Sequence, residues 1–199
     1  MIIKNLNKDK IFFTSDHHFG HSNIIQFCHR PWEDIRAMDL ELIQRWNSVV
    51  PEDGIVFHAG DFAMTGNIDW IKSIVSQLNG KIYLTLGNHD YYNRFDRQVV
   101  RDLFYQTDDM YYFTVEDEDL PAKHMNFQVC HYPLMYWRRG YHMLHGHVHS
   151  GPNSTANEVV PYHFMRYDVG VDNNDFYPIS YHQLKDLFTK NTTTDVETK

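Results

Sequence analysis

The sequence predicts an α/β fold, and two observations lead to that prediction. Five short apolar runs, rich in Ile, Val, Phe and Tyr, each end in a cluster of Gly, Asp, Asn or His. Such runs are typical of buried strands that feed loops at one edge of a sheet. Between the first three runs, apolar residues recur at helical spacing. This alternation indicates parallel pairing, because each helix returns the chain to the starting edge of the sheet.

The first half of the chain contains three predicted strands joined by two amphipathic helices. Punctuating residues support both helices: Pro51 closes the first, Asn67 is the expected N-cap of the second, and Gly80 lies just past its end. In chain order the elements are strand Lys10 to Ser15, helix Ile35 to Val49, strand Gly54 to Ala59, helix Ile68 to Leu78 and strand Lys81 to Leu86.

The second half is expected to shift toward antiparallel pairing, because two apolar segments flank the acidic turn Glu116 to Asp119 as in a hairpin. The elements there are a less regular helix Asn93 to Tyr105, hairpin strands Met110 to Val115 and Met125 to Cys130, strands Tyr141 to Leu144 and Phe164 to Val169, and a final helix Tyr181 to Phe188. We expect one domain over residues 1–188 and a disordered polar tail, Thr189 to Lys199.

The composition is that of an ordinary soluble globular domain. The chain has 199 residues, 42% of them hydrophobic, and is long enough to form one core without disulfides. Its 2 cysteines are too few for a disulfide framework. It has no signal-like segment and no apolar run that could span a membrane, so we expect a cytoplasmic protein without a membrane partner. The net charge of -8 disfavours extended nucleic acid as a partner, and a phosphate-bearing substrate would need a local source of positive charge.

The 14 histidines are the compositional anomaly, and several of them follow predicted strands. A His, Asp or Asn side chain stands at every one of the five strand ends: Asp16-His17-His18, Asp61, Asn88-His89-Asp90, His131 and His147-Val148-His149. Imidazole and carboxylate together suit Zn, Fe, Mn or Ni. Gly60, Gly87 and Gly146 are expected to allow sharp turns there, with positive φ.

In this order and spacing, Asp16-x-His18, Gly60-Asp61, Gly87-Asn88-His89-Asp90, His131 and Gly146-His147-x-His149 resemble the five motifs of the calcineurin-like metallophosphoesterases. Further stretches, including Tyr167 to Asp172, are similar to a small bacterial and phage branch of predicted phosphoesterases. The resemblance implies a four-layer αββα sandwich of two mixed β-sheets flanked by helices. It also implies hydrolysis of a phosphate ester by in-line attack of a hydroxide that bridges two metal ions.

Carried over residue by residue, the resemblance implies a set of ligands for two divalent ions, with Asp61 shared between them. Mn²⁺ is the expected metal, with Zn²⁺, Fe²⁺ and Ni²⁺ as alternatives, and the ions would supply the positive charge that the chain lacks. His89 would protonate the leaving oxygen, and Asp90 would orient it. The implied metal ligands are Asp16, His18, Asp61, Asn88, His131, His147 and His149.

The resemblance also has a departure. Protein phosphatases of the superfamily carry an Asp-Arg pair where this chain has Met64-Thr65, so a phosphate clamp is missing. We therefore favour a phosphodiester, of a small nucleotide or cyclic nucleotide. A phosphomonoesterase, a nuclease and a non-catalytic partner-binding module remain alternatives. Candidate substrate contacts are His21, Arg30, Arg138 and Arg139, whereas we interpret His17, His58 and His145 as structural.

Overall fold

Two β-sheets and five α-helices make up the fold in the computed structural model, which describes residues 2–3, 6–65, 67–92, 102–149, 159–160 and 164–193. The helices are α1 (Asn23–Phe27), α2 (Ile35–Val49), α3 (Ile68–Val75), α4 (Asn88–Tyr92) and α5 (Tyr181–Thr193). The strands are β1 (Ile2–Ile3), β2 (Ile11–Thr14), β3 (Ile55–His58), β4 (Lys81–Thr85), β5 (Gln106–Asp108), β6 (Tyr111–Glu116), β7 (His124–Val129), β8 (His142–His145), β9 (Val159–Val160), β10 (Phe164–Asp168) and β11 (Ile179–Ser180).

The five-stranded sheet has the order β11-β2-β3-β4-β5. Its strands β2 to β5 are parallel, and β11 pairs antiparallel with β2 at one edge. The predicted parallel pairing of the first three strands is therefore confirmed. Because parallel strands end at the same edge, the loops that follow β2, β3 and β4 lie side by side.

The six-stranded sheet has the order β1-β6-β7-β8-β10-β9. The predicted hairpin is confirmed, since β6 and β7 are antiparallel neighbours. The wider expectation of antiparallel pairing is wrong, because β7, β8 and β10 run parallel to one another. Residues 130–141 and 146–163 connect these strands, and connections of that length are what a parallel crossover needs. The carboxyl end of β8 therefore lies beside the carboxyl end of β7.

The two sheets pack against each other through aromatic side chains. Phe13 and Phe57 of the first sheet meet Phe113 and Phe127 of the second, and the rings of Phe57 and Phe113 stack with centroids 4.0 Å apart. The opposite face of the five-stranded sheet packs against α2 and α3 in a second apolar cluster that includes the fully buried Trp46. The α/β class with two mixed sheets flanked by helices is thus confirmed.

Local sequence signals place the starts of α2 and α3, and α2 ends at Val49 as predicted, whereas α3 ends at Val75, three residues before its predicted end at Leu78. Asp34 accepts a hydrogen bond from the backbone N–H of Ala37 at the start of α2, and Asn67 accepts one from Trp70 at the start of α3, as expected of N-caps. The last helix continues to Thr193, five residues into the segment that we expected to be disordered. None of the helices in the described part of the chain is long and apolar enough to cross a membrane.

Some elements were missed or lie outside the described residues. Most of the predicted helix Asn93 to Tyr105 falls in residues 93–101, outside the described ranges, and residues 102–105 form turns. The sequence patterns missed the elements of five residues or fewer at β1, β5, β9, β11, α1 and α4. Elements this short carry too few residues to establish a period.

Candidate metal centre

The candidate metal centre forms where the ends of β2, β3 and β4 meet the ends of β7 and β8. Backbone hydrogen bonds join these loops directly: the Asp16 N–H donates to Gly60, His18 to Asp61, and Gly146 to His131, at 3.0 to 3.1 Å. All seven predicted metal ligands are in these loops. The expectation that strand ends from both halves of the chain bring them together therefore agrees with the geometry.

The donor atoms of the described residues form four groups that could hold an ion. Two of these groups include residues that were not predicted as ligands: His89 lies with His18 and Asp61, and Cys28 and Asp172 lie with His149. The other two groups consist of predicted ligands alone. Asp16, His18 and His149 offer one set of donor atoms within 4.8 Å of one another, and Asp61, His131 and His147 offer another. Asp61 connects the groups, because its Oδ2 lies 3.5 Å from Nε2 of His18 and 3.4 Å from Nε2 of His131. A single carboxylate thus lies next to both sets.

Several of these ligand atoms present lone pairs to each other, with no hydrogen atom between them to form a hydrogen bond. Nδ1 of His131 donates to the carbonyl oxygen of Ala59 at 2.9 Å, so Nε2 presents its lone pair to the site. Oδ1 of Asn88 lies 3.0 Å from that Nε2, and Oδ2 of Asp61 is also close. Both nitrogens of the buried His18 ring lack a hydrogen-bond partner. Lone pairs that converge in this way are chemically suited to a bound cation, so the residues present fit a metal.

The backbone at the site is unusual. Five of the seven predicted ligands have positive φ angles: Asp16 58°, His18 53°, Asp61 54°, His147 73° and His149 46°. Asp and His tolerate this region better than most residues, but each such position still costs about 1–3 kcal/mol. The surrounding fold must hold these conformations, and such strain is typical of functional sites.

The glycines at the site serve two different purposes. Gly60 has a φ of 97°, as expected for a sharp turn. The expectation of positive φ is wrong for Gly87 and Gly146. A Cβ on Gly87 would overlap the carboxylate of Asp61, and a Cβ on Gly146 would overlap that of Asp16. These two glycines therefore make room for acidic side chains rather than for a backbone turn.

His149 is held by a buried chain of polar groups that sequence reasoning missed. Its Nδ1 lies 2.7 Å from Oδ2 of Asp172, and its Nε2 lies 4.0 Å from Oδ1 of Asp16. Although burial opposes charge on this ring, the hydrogen bond to Asp172 raises the pKa of His149 to about 11. A carboxylate that orients a histidine in this way is typical of the surroundings of bound metals. Asp172 stands in the stretch Tyr167 to Asp172, but no spacing rule singles it out.

Arg30 belongs to the same buried chain, which corrects its expected role as a substrate contact. Its guanidinium donates to both carboxylate oxygens of Asp172, at 2.8 and 2.9 Å. It also donates to the carbonyl oxygens of Asp16, at 2.7 Å, and His17, at 2.9 Å. The side chain is completely buried. All its donors face inward, so it positions the β2 loop and Asp172 instead of reaching a ligand.

Asp90 also has a different role from the expected one. Its carboxylate accepts hydrogen bonds from the backbone N–H groups of Asp61, Phe62 and Gly87, at 2.7 to 3.0 Å. Burial, and then the charge of Asp61, raise the pKa of Asp90 to about 7. Asp90 therefore fastens the loops after β3 and β4 to each other, and no hydrogen bond in the described structure links it to the His89 ring.

The carboxylates of the site are in an electrostatically unfavourable environment. Asp16 is fully buried, and this burial, reinforced by the charges of Asp168 and Asp61, raises its pKa well above the usual range. Burial lowers the pKa of His18 well below the usual range, which keeps the ring neutral. Binding of a cation between these groups would favour the ionised carboxylate of Asp16 and the neutral form of the ligand histidines, and so would oppose the raised pKa values of Asp16 and His149.

The remaining predicted residues are divided between the cleft over the centre and other places. His89 and His21 both line this open cleft, whose volume is about 960 Å³. Nδ1 of His21 is buried without a partner, and its ring lies 5.4 Å from that of His18. Neither Arg138 nor Arg139 is among the described residues that line the cleft, and the Arg138 guanidinium lies over the ring of Tyr141 at 4.6 Å. Their expected role as substrate contacts therefore lacks structural support.

The histidines interpreted as structural are buried. Nδ1 of His17 contacts Nε2 of His58 at 3.0 Å, and His58 accepts a hydrogen bond from the Gly60 N–H. His145 is also fully buried.

Tyr132 packs its ring against the rings of His131 and His147, with centroids 4.9 and 4.7 Å apart, and so lies beside the group of donor atoms that these two histidines form with Asp61.

Sequence comparison finds three relatives, and no protein-family model matches the chain. An uncharacterised protein of Methanocaldococcus jannaschii, MJ1445, is 40% identical over 82 residues, which cover 41% of this chain and 47% of that protein. The chain therefore matches about half the length of this relative. The gene 66 proteins of Mycobacterium phages D29 and L5 are 29% and 25% identical over 160 and 187 residues. These matches cover 70% and 81% of this chain, and 78% and 86% of the phage proteins.

Structure comparison supports the fold. A protein of unknown function from Aquifex aeolicus, AQ665, superimposes with a TM-score of 0.67 at 23% identity, covering 89% of this chain and 98% of that one. The Pseudomonas putida nuclease MPE has a TM-score of 0.42 at 18% identity, covering 71% of this chain and 62% of that one, which is too weak a likeness to bear on function. The chain therefore shares its fold with a solved protein of unknown function.

Proposed function

We propose that this protein is a di-metal phosphoesterase that hydrolyses phosphodiester bonds, of a small nucleotide or cyclic nucleotide. The observation that carries this proposal is the position of Asp61, whose Oδ2 lies 3.5 Å from His18 and 3.4 Å from His131. A carboxylate between two sets of donors is what two neighbouring ions need. The resemblance of the five motifs to calcineurin-like metallophosphoesterases supports the same function.

The two ions would be held by side chains that the fold already brings together. Asp16, His18 and His149 would bind the first, Asn88, His131 and His147 the second, and Asp61 would bind both. Mn²⁺ is the proposed metal, since mixed imidazole and carboxylate donors suit it. When bound, the ions would act as Lewis acids toward the phosphoryl group and lower the pKa of the attacking water.

His89 is the proposed proton donor to the leaving oxygen. Its ring is partly exposed in the cleft, 5.0 Å from the ring of His18, and its Nε2 lies 4.0 Å from Oδ2 of Asp61. Its backbone N–H donates to Oδ1 of Asp61 at 2.8 Å, which fixes the start of α4 relative to the shared carboxylate. Nε2 can therefore hold a proton at the mouth of the site, where a leaving group would depart.

The composition of the cleft supports the proposed preference for diesters. Met64, which lines the cleft, and Thr65 occupy the positions where protein phosphatases of the superfamily carry an Asp-Arg pair, and Arg30 is committed to Asp172. No Lys or Arg occurs among the described residues that line the cleft. A terminal phosphate dianion would therefore gain less here than in a site with an Arg clamp.

A substrate panel with added Mn²⁺ tests the proposal. It contains bis- and mono-aryl phosphates, 2′,3′- and 3′,5′-cyclic nucleotides and single-stranded oligonucleotides. We expect turnover of the diesters and the cyclic nucleotides, lost after chelation and restored by Mn²⁺. Faster turnover of the monoester would indicate a phosphatase, and cleavage of the oligonucleotide alone a nuclease. If the metal-loaded protein hydrolyses nothing in the panel, the proposed function is wrong.

A further inference from the structure

Three exposed apolar residues line the cleft over the candidate metal centre. We call them together the apolar wall, and they are Phe27, Met64 and Val148. Their side chains remain 70%, 38% and 42% exposed, although most large apolar residues of the described chain are buried. Phe27 is the last residue of α1, and it lines the cleft. A cleft that combines an apolar surface with a few convergent polar groups is typical of small-molecule sites.

The apolar wall adjoins the donor atoms. Val148 stands between His147 and His149, two of the proposed ligands. The Phe27 ring lies 6.3 Å from the ring of His21, and His21 lies 5.4 Å from His18. Only one imidazole therefore separates the Phe27 ring from the donor atoms. A phosphoryl group held at the centre would present its organic substituent to this surface.

The three members of the wall offer different kinds of contact. Met64 and Val148 are flexible or small and accept many shapes, whereas Phe27 offers a flat aromatic ring. Its contact with the His21 ring is edge-on, at 73°, so the two rings are not stacked on each other. An exposed aromatic face gains most from another flat ring, because stacking gives full contact at little entropic cost.

We infer that the apolar wall is a subsite for a planar aromatic substituent on the substrate phosphorus, such as an aryl or nucleobase-bearing group, with Phe27 as the specificity-determining residue. The inference rests on the proposed function, since it assumes that a phosphoryl group binds at the metal centre. It deepens that function by naming the chemical class of the substituent. Among the candidate substrates, it favours those whose base can reach the cleft.

Three phosphonates that differ only in the organic group test the inference. Phenyl-, cyclohexyl- and methylphosphonate carry one substituent on a carbon–phosphorus bond that hydrolysis does not cleave, and the first two are similar in size. We would measure their dissociation constants by titration calorimetry on the Mn²⁺-loaded protein. Because stacking is specific for a flat ring, we expect phenylphosphonate to bind about tenfold more tightly than cyclohexylphosphonate.

Variants of Phe27 assign the preference to this ring. Phe27→Ala should bring the phenyl-to-cyclohexyl ratio of affinities close to one and leave methylphosphonate unaffected, whereas Phe27→Trp should preserve the ratio. Tyr136→Ala is the matched control, because Tyr136 is also an exposed aromatic residue, 86% exposed, but does not line the cleft. Phe27 is so exposed that we expect its replacement to leave the melting temperature unchanged.

The outcomes separate the inference from the function on which it rests. Equal affinity for the phenyl and cyclohexyl compounds, or a preference that survives Phe27→Ala, would overturn the inference while the hydrolysis of diesters stands. A stronger preference for cyclohexyl would point to an aliphatic substituent and would also overturn it. If none of the three compounds binds to protein that holds its metal, the proposed phosphoryl site fails, and the inference fails with it.

Discussion

Two fully buried aspartates in this molecule have opposite surroundings. Asp117 accepts hydrogen bonds from Lys8 at 2.6 Å, from Lys185 at 2.9 Å and from the Tyr181 hydroxyl at 2.9 Å. Although burial acts against it, these bonds hold the pKa of Asp117 well below the usual range. Asp16 pairs with no Lys or Arg in the described part of the chain, and burial raises its pKa.

Among the described residues, the lysines that neutralise buried carboxylates are placed at Asp117 and not at Asp16. The Asp117 cluster joins the N-terminal turn, the β6–β7 hairpin and α5, and it is complete without any ligand. The candidate metal centre is a set of acceptors whose missing partner is a cation from solution. Buried charge that is unpaired within the chain costs free energy, and a bound ion would remove that cost. Five predictions test whether the Asp117 cluster and the candidate metal centre differ in this way.

The largest expected effect comes from Asp61→Asn, which removes the carboxylate shared by both groups of ligands. We expect metal content to fall from about two equivalents per chain to one or fewer, and diesterase activity to fall by at least about 1000-fold. Elemental analysis and steady-state kinetics measure the two quantities. Retention of two equivalents of metal would show that Asp61 is not a shared ligand.

His89→Ala separates the chemistry from the binding of ions. We expect turnover to fall by about 100-fold or more, as for loss of a general acid, while metal content stays normal. Comparing substrates with good and poor leaving groups sharpens the test, because a good leaving group needs no proton. An equal loss on both kinds of substrate would contradict the assignment of His89 as the proton donor.

Asp172→Asn weakens the chain of groups that holds His149. Because the bond to His149 loses its charge, we expect metal affinity to fall by about 10- to 100-fold, measured by competition with a chelator of known affinity. Arg30→Lys should act in the same direction and more weakly, since lysine cannot make the two parallel bonds to Asp172. Unchanged metal affinity in both variants would mean that the hydrogen bonds joining His149, Asp172 and Arg30 only stabilise the loop after β2.

Asp117→Asn disrupts the Asp117 cluster and leaves the candidate metal centre intact. We expect the free energy of unfolding to fall by about 2 kcal/mol, because hydrogen bonds to a buried charge are lost, while metal content and activity stay normal. Urea denaturation of the metal-free protein measures the loss. A change in metal affinity would show that the two regions are coupled, contrary to the contrast drawn above.

Acid should weaken metal binding more than it weakens the Asp117 cluster. The raised pKa of Asp16 means that its carboxylate takes up a proton as pH falls, and the ligand histidines must be neutral to bind metal. We expect affinity for Mn²⁺ to fall by about tenfold or more between pH 7.5 and pH 5.5. Asp117, with a depressed pKa, keeps its stabilising contribution until pH falls below the usual range of a carboxyl group. Metal affinity that is constant between pH 5 and pH 8 would contradict this prediction.

Much of the fold could be predicted because it depends on local patterns. The helices α2 and α3 were located from their apolar spacing, from Pro51 after the first and from the cap at Asn67 before the second. The parallel order of β2, β3 and β4 followed from alternation with those helices. The parallel pairing of β7 with β8, and of β8 with β10, could not be predicted, since the intervening loops carry no periodic signal.

The candidate site divides in the same way. The residue types that follow each strand led to the seven predicted ligands, and the topology explains why they meet. The motifs did not predict His89, Cys28 or Asp172 as ligands, although each also lies in a group that could hold an ion. The roles of Arg30 and Asp90 were misassigned, because a motif does not reveal where a side chain points. Arg30 turned out to be buried against Asp172, 142 residues away in sequence, and Asp90 bonds three backbone N–H groups.

By itself, the sequence determined the α/β class, the strand ends that carry metal-binding side chains, and the absence of a local Arg clamp beside Met64. Folding was needed to establish which of the described acids have no Lys or Arg partner, which histidines are held by Asp172 or Ala59, and that Phe27 lines the cleft. The physical reason is that chemical type and periodicity are local properties of a chain. Burial, lone-pair direction and the pairing of charge depend on residues that are distant in sequence and become neighbours only after folding.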